Sequence, residues 1–355
     1  MDQTIRFTTG QGGVKLAYAV CGSGPPLVKT GNWLSHLEFD WSSPVWSHWF
    51  RFFAGGNTLL RYDARGCGLS DWNATDLSLD AQVADLEAVV AAAGVERFPL
   101  FGMSQGGAVA IEYACRHPER VSQLVLFGAF ARGWLIAGGR LEQNARALFD
   151  LIETGWGSEL PAFRKVFTEL FVPGASEEQQ RWFGEAMRVT SKPAVAASIL
   201  RTYGTIDLSA RLADLRAPTL VIHCRQDACI PFRLGRELAA AIAGARFVAL
   251  DSRHHVLLED EPAWPVFCRE FDAFLGRRVA PPAAAAVDER RLAELTGRER
   301  KVLSLVAAGL SNGEIAAKLF LSEKTVRNHL THIFDTLGVK TRARAIVVAR
   351  EAGLS

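Results

Sequence analysis

Two stretches of this chain carry side chains whose types and spacing could do chemistry. The first is Gly102-Met103-Ser104-Gln105-Gly106. A serine hydroxyl becomes a nucleophile only when a base takes its proton and N–H donors stabilise the oxyanion that follows. A G-x-S-x-G turn between a strand and a helix lifts the serine to the top of a sheet, and its glycines let the strained turn approach its neighbours. Here Pro99–Phe101 reads as strand and Gln105–Arg116 as helix, so the context is met, and the main-chain N–H of Gln105 becomes one oxyanion donor. The second stretch is 322–337, SEKTVRNHLTHIFDTL. Val326, Leu330, Ile333, Phe334 and Leu337 repeat at helical spacing and make one buried stripe. Lys324, Arg327, Asn328 and Thr331 share another face, with Thr325 beside them. Arginine reads guanine, asparagine reads adenine, and a small hydroxyl permits close approach in a major groove.

The surrounding pattern supplies a scaffold for each stretch. Residues 4–9 and 14–21 read as a hairpin, and Leu27–Thr30 and Thr58–Tyr62 as short buried strands. Ser78–Ala93 reads as a helix capped by Ser78 and stopped by Gly94. Strands at Phe98–Phe101, Gln123–Phe127, Thr219–His223 and Arg246–Leu250 alternate with helices at 105–116 and 234–242. Such alternation predicts an α/β fold with a mostly parallel sheet covered on both faces. Residues 133–215 break it with aromatic-rich helices and read as a cap over a ligand site. Residues 277–287, RRVAPPAAAAV, read as a linker, leaving 1–276 and 288–355 as two domains.

Residues 1–276 resemble an α/β-hydrolase. The resemblance rests on the serine turn, on the strand–helix order and on Asp63-x-Arg65-Gly66-x-Gly68-x-Ser70. It implies a triad in the order serine, acid, histidine. Asp227, after a late strand, takes the place of the acid. Two histidines compete for the base, His254 and His255. The family places an acidic residue five positions and a proline seven positions after the base, which from His255 are Asp260 and Pro262. His255 is therefore the expected base and His254 a loop residue. The resemblance also implies a second oxyanion donor after the strand Leu27–Thr30, the main-chain N–H of Asn32. Thr30-Gly31 stands there in place of the family's common His-Gly. The stretch 31–49 carries four tryptophans and follows that loop, so Trp33, His36 and Leu37 are expected in the pocket.

Residues 288–355 divide into four short helices. Thr296-Gly-Arg-Glu299 and Ser311-Asn-Gly-Glu314 are capping boxes, and the second and third helices form a helix-turn-helix. The segment is similar throughout to the C-terminal domain of LuxR-type regulators, as in Leu295-Thr-Gly-Arg-Glu-Arg300 and Ser322-Glu-Lys-Thr-Val326. That implies an all-α domain binding double-stranded DNA as a homodimer through its fourth helix. Ala345, Val348, Ala349 and Ala352 of 342–352 form a small apolar face for that contact.

Bulk numbers agree with this division. The net charge is +2, but residues 288–355 hold 12 Lys and Arg against 8 Asp and Glu, so the basic surplus lies where phosphate would be met. The six cysteines have no C-x-x-C spacing and read as apolar filler rather than disulfides or zinc ligands. No metal or cofactor is implied. The N-terminus lacks the basic and apolar runs of a signal peptide, and no run reaches the ~18 apolar residues of a membrane helix, so a cytoplasmic location is expected. Together these readings predict a one-component transcription regulator whose hydrolase-like domain binds a small, largely apolar molecule. The alternative is a working esterase or lactonase whose turnover is part of the signal.

Overall fold

The computed structural model describes residues 2–156, 161–277, 291–339, 342–351 and 354. The chain forms two compact units, Met1–Gly276 and Arg277–Ser355. The expected linker lies outside the described residues from position 278 onward.

The first unit is built on eight strands: β1 (Gln3–Thr9), β2 (Lys15–Gly22), β3 (Pro26–Lys29), β4 (Thr58–Tyr62), β5 (Phe98–Met103), β6 (Val121–Phe127), β7 (Thr219–Cys224) and β8 (Arg246–Leu250). They lie in the order β1-β2-β4-β3-β5-β6-β7-β8. The β1/β2 and β2/β4 pairs are antiparallel, and every later pair is parallel. Central strands of a parallel sheet are covered twice, which is why β7, Thr-Leu-Val-Ile-His-Cys, is buried at every position.

Helices flank the sheet. Ser78 caps α2 (Leu79–Ala92), its hydroxyl accepting the N–H of Ala81 at 3.2 Å, and Gly94 ends that segment at φ +67°. Helix α3 (Gly106–Arg116) follows the serine turn and is almost wholly buried. Two helices were not read from the sequence. Helix α1 (Ser47–Ala54) buries Trp49, Phe50 and Phe53, and α10 (Ala263–Leu275) buries Phe267 and Phe271. Trp49 stands 4.7 Å from Phe267 and 5.3 Å from Phe127, so this aromatic belongs to the core and not to the pocket.

Between β6 and β7 the chain leaves the sheet as α4 (Trp134–Ala137), α5 (Gly139–Gly155), α6 (Pro161–Phe171), α7 (Glu177–Thr190) and α8 (Pro193–Gly204). A bridge between Arg132 and Asp207 closes the neck of this insertion. Ser176 and Gln179 cap α7 reciprocally, and Pro193 starts α8 at a position where its missing N–H costs nothing. Helix α9 (Phe232–Ala241) then restores the alternation.

The second unit holds α11 (Gly297–Ala307), α12 (Asn312–Leu319), α13 (Glu323–Leu337) and α14 (Arg342–Glu351). Both capping boxes form, through Thr296 with Glu299 and Ser311 with Glu314. The core joins Val302, Val306, Ile315, Val326 and Ile333 to Ala345, Val348 and Ala349. That corrects one expectation. The small face of α14 is filled by its own unit, because α14 packs on α11, and so Ala345, Val348 and Ala349 are not available to a second copy. Ala352 lies outside the described residues.

Candidate active site and DNA-reading helix

Strand β5 delivers its last residue, Met103, to a turn in which Ser104 takes φ +53°. A side chain in the left-handed region costs about 1–2 kcal/mol and persists only where its surroundings enforce it. Here the enforcement is tight. A Cβ on Gly102 would meet Ala110 Cβ at 2.7 Å, and one on Gly106 would meet Gly31 O and Thr30 Oγ1 at 2.4 Å. The Ser104 N–H donates to Phe127 O at 2.9 Å, which pins the turn to β6. The hydroxyl itself is buried and makes no hydrogen bond among the described residues.

The acid follows β7. Asp227 Oδ1 accepts the N–H groups of Cys229 and Ile230, each at 2.9 Å, and Oδ2 accepts Nδ1–H of His255 at 2.7 Å. That contact leaves Nε2 as the free nitrogen of His255, and Nε2 is buried without a partner among the described residues. Ser104 and His255 line one cavity. Of the competing histidines, His255 is the one that meets Asp227. His254 instead donates from Nδ1 to Glu261 at 3.0 Å and from Nε2 to Pro173 O at 3.1 Å, which requires both nitrogens protonated. Burial pulls His254 down, but the Glu261 contact and the Pro173 carbonyl outweigh it and hold the group above its usual value. His254 thus straps the loop behind α6 to the histidine loop.

The loop after β3, where an oxyanion donor is expected, departs from the family's common sequence, and Thr30 takes on a different contact there. Thr30 N–H donates to Phe101 O at 3.0 Å, and its hydroxyl donates to Gly106 O at 3.0 Å. Threonine therefore ties the loop directly to the serine turn. Asn32 and Gln105 both line the cavity. The rest of its wall is apolar: Trp33, Leu34, Trp46, Met103, Phe171, Trp182, Phe183, Ala186 and Val256. Trp33 is stacked 5.8 Å from Phe171, with its indole N–H on Ala196 O at 3.3 Å.

His36 and Leu37 are not in the lining. Leu34 adopts φ +63°, which turns the chain away after Trp33. The His36 ring then accepts the Phe39 N–H at 3.2 Å, and Leu37 packs against Ala17 and Ala19. Leu37 N–H donates to Asp63 Oδ2, which also accepts Leu69 N–H at 2.9 Å, while Arg65 forms a buried pair with Asp85 at 2.6 Å. The Asp63-to-Ser70 landmark is accordingly a brace for these loops and not part of the cavity wall.

In the second unit, α13 presents Lys324, Arg327, Asn328 and Thr331 to solvent while Val326, Leu330, Ile333 and Leu337 are buried behind them. Thr325 is half-buried, with its hydroxyl 2.8 Å from that of Ser322 in the helix cap. Thr331 hydroxyl donates to Arg327 O at 3.1 Å. Phe320, at the turn into this helix, is 96% exposed at φ +53°.

A family model described as the alpha/beta hydrolase fold matches residues 33–262, and one described as bacterial regulatory proteins, luxR family, matches residues 293–349. The chain belongs to the α/β-hydrolase fold family and ends in a LuxR-family helix-turn-helix DNA-binding domain. The AB hydrolase superfamily protein YisY of Bacillus subtilis (strain 168) is 28% identical over 255 residues, covering 68% of this chain and 88% of that protein. The pyrrolizixenacetamide deacetylase of Xenorhabdus hominickii is 27% identical over 275 residues, covering 73% of this chain and 95% of that protein. The crystal structure of a hydrolase from Pseudomonas aeruginosa PA01 is 26% identical with a TM-score of 0.64, covering 77% of this chain and 98% of that one.

Some residues of the hydrolase-fold domain that act on the site were not legible beforehand. His223, buried in β7, donates Nε2–H to Ile230 O at 2.8 Å and so buttresses the loop that holds Asp227. Burial pulls its pKa down and keeps it neutral beside the acid. Phe171 closes the cavity from the cap, and its carbonyl accepts the N–H groups of His255 at 2.8 Å and Val256 at 3.1 Å. Among the described residues no cluster of His, Cys, Asp and Glu could hold a metal, and no helix is long and apolar enough to cross a membrane.

Proposed function

We propose that this protein is a one-component transcription regulator. The hydrolase-fold domain takes a small, largely apolar carbonyl compound at Ser104, and the LuxR-family domain binds a two-fold operator as part of a homodimer. One observation carries the reading: a His255 oriented by Asp227 and an unpaired Ser104 hydroxyl line one largely apolar cavity, on a chain that ends in a DNA-binding domain. The cavity wall is mostly apolar and aromatic, and its few polar residues are Asn32, Ser104, Gln105 and His255. A cytoplasmic location follows from binding DNA.

The same geometry favours a second reading, that the ligand is also turned over. His255 Nε2 takes the Ser104 proton as Oγ attacks the carbonyl, and Asp227 stabilises the imidazolium that forms. The N–H groups of Asn32 and Gln105 receive the oxyanion. His255 then returns the proton to the leaving group, and water releases the acyl group by the reverse sequence. That similar proteins include a deacetylase and a hydrolase supports acyl transfer to water.

The test is a fluorophosphonate probe on the full chain. Ser104 should be the one serine labelled, and labelling should collapse in His255→Ala while persisting in His254→Ala. Operator duplexes selected from random DNA should then bind the full chain with an affinity that shifts when the pocket is occupied. Absence of Ser104 labelling would remove the hydrolytic reading. An affinity indifferent to every pocket ligand would remove the sensing one.

A further inference from the structure

Strand β3 ends in a lysine that is almost wholly buried. Lys29 is 4% exposed. Its ammonium donates to Thr30 O at 3.1 Å and to Asn32 Oδ1 at 2.5 Å, and it lies 5.7 Å from the centre of the Trp46 ring. Asn32 and Trp46 both line the cavity. The Asn32 amide is used at its other end as well, donating to Trp33 O at 3.1 Å. The charged groups that bear on Lys29 are Arg61, Asp40 and Asp63, yet no carboxylate lies within ion-pair distance of its Nζ among the described residues. Its hydrogen bonds are thus spent on the oxyanion loop and not on a counter-ion.

A buried ammonium without a paired carboxylate is expensive, and an aliphatic side chain would fill the same space without that cost. Burial accordingly pushes Lys29 down to about 7, with Arg61 adding to the fall and Asp40 and Asp63 opposing it. What the lysine contributes must lie in the segment it grips. Thr30 fastens one end of that segment to Gly106. Beyond Thr30, the Asn32 side chain has two bonds, to Trp33 and to Lys29, and only the Lys29 bond reaches the sheet.

We propose that Lys29 is a positioning residue for the oxyanion hole, holding the Asn32 peptide from beneath so that its N–H stands where the tetrahedral oxyanion forms. This rests on the hydrolytic reading given above. A peptide released from that grip can rotate out of line while the pocket wall, and hence ground-state binding, stays as it was. The loss therefore belongs to the transition state.

The experiment uses the full chain with p-nitrophenyl acetate and active sites counted by stoichiometric fluorophosphonate. Lys29→Met keeps the length and removes the donors. Asn32→Ala cuts the same link from the loop side and leaves the Lys29 bond to Thr30 O in place, so it decides the matter if Lys29→Met fails to fold. Each variant should lower kcat per labelled site roughly tenfold or more with KM unchanged. The double variant should lose less than the sum of the two single losses, because both remove the shared Lys29–Asn32 link. A merely structural lysine would lower the number of labelled sites and leave the rate per site alone. A wild-type rate per site in Lys29→Met, or in Asn32→Ala where the first does not fold, overturns this inference alone, as do fully additive losses. A wild type that neither hydrolyses the ester nor reacts with the probe overturns the hydrolytic reading, and this inference with it.

Discussion

Gly106→Ala isolates geometry from chemistry, because it adds one methyl and removes no polar group. Gly106 opens α3 without a positive φ, so alanine suits its backbone and improves helix propensity. The added Cβ would stand 2.4 Å from Gly31 O and from Thr30 Oγ1, where ordinary contact begins at 3.4 Å, so about 1 Å must be found. Both atoms belong to the oxyanion loop, and the methyl sits on a buried helix at the end of the central strand. The loop is therefore what yields, and it yields away from Ser104. Misplacement of a catalytic group by ~1 Å can cost about 100-fold in rate. The accompanying strain is of the order of 1–3 kcal/mol, or roughly 2–4 °C in Tm for each kcal/mol in a domain of this size. The assay is kcat per fluorophosphonate-labelled site with p-nitrophenyl acetate, beside a thermal melt. A folded Gly106→Ala protein with the wild-type rate per site would refute the claim that loop and serine turn must approach so closely.

Three further outcomes are expected. Arg327→Ala should cost about 1–3 kcal/mol per half-site and relax preference at one base pair, whereas Lys324→Ala should weaken all sequences alike and lower the salt slope, as gel shifts over a salt series would show. His254 gains partners in the folded state, so its raised pKa stabilises the strap fully below the ordinary histidine value and the contribution is lost as pH rises through the raised one. Limited proteolysis should open the cap more readily at alkaline than at mildly acidic pH, and a His254→Gln protein that keeps this pH dependence would assign it elsewhere. Ala349→Leu should lower Tm by overpacking α14 against its own unit. A shift that varied with protein concentration would instead place Ala349 at a contact between copies.

The strands of the hydrolase-fold domain were legible because a buried parallel sheet writes itself as short apolar runs between turn residues, and β8 matches residue for residue. The helices of the DNA-binding domain were legible because their capping boxes and apolar stripes are local. Helix α1 was not. Ser47–Ala54 has four Trp or Phe in only eight residues, too short a run for periodicity to separate helix from buried loop, and the aromatics of α10 are what it packs against. His36 and Leu37 were misplaced for a related reason. A leucine at φ +63° redirects the chain, and nothing in the leucine announces it. The α14 face was read correctly as apolar, but a stripe on one helix does not say whose core it completes.

The carbonyl of Phe171 is both the end of a cap helix and the anchor of the histidine loop. Any movement that lifts α6 to admit a molecule must therefore break or drag the two hydrogen bonds that fix His255 and Val256. Entry past α6 and readiness of His255 would then be mechanically one event. If His255 is the base proposed above, an open doorway would loosen it, and it would be set only after the door had shut behind its guest. A molecule too large for the shut cavity would then be held without being attacked, so the same residues could separate inducers from substrates by size alone.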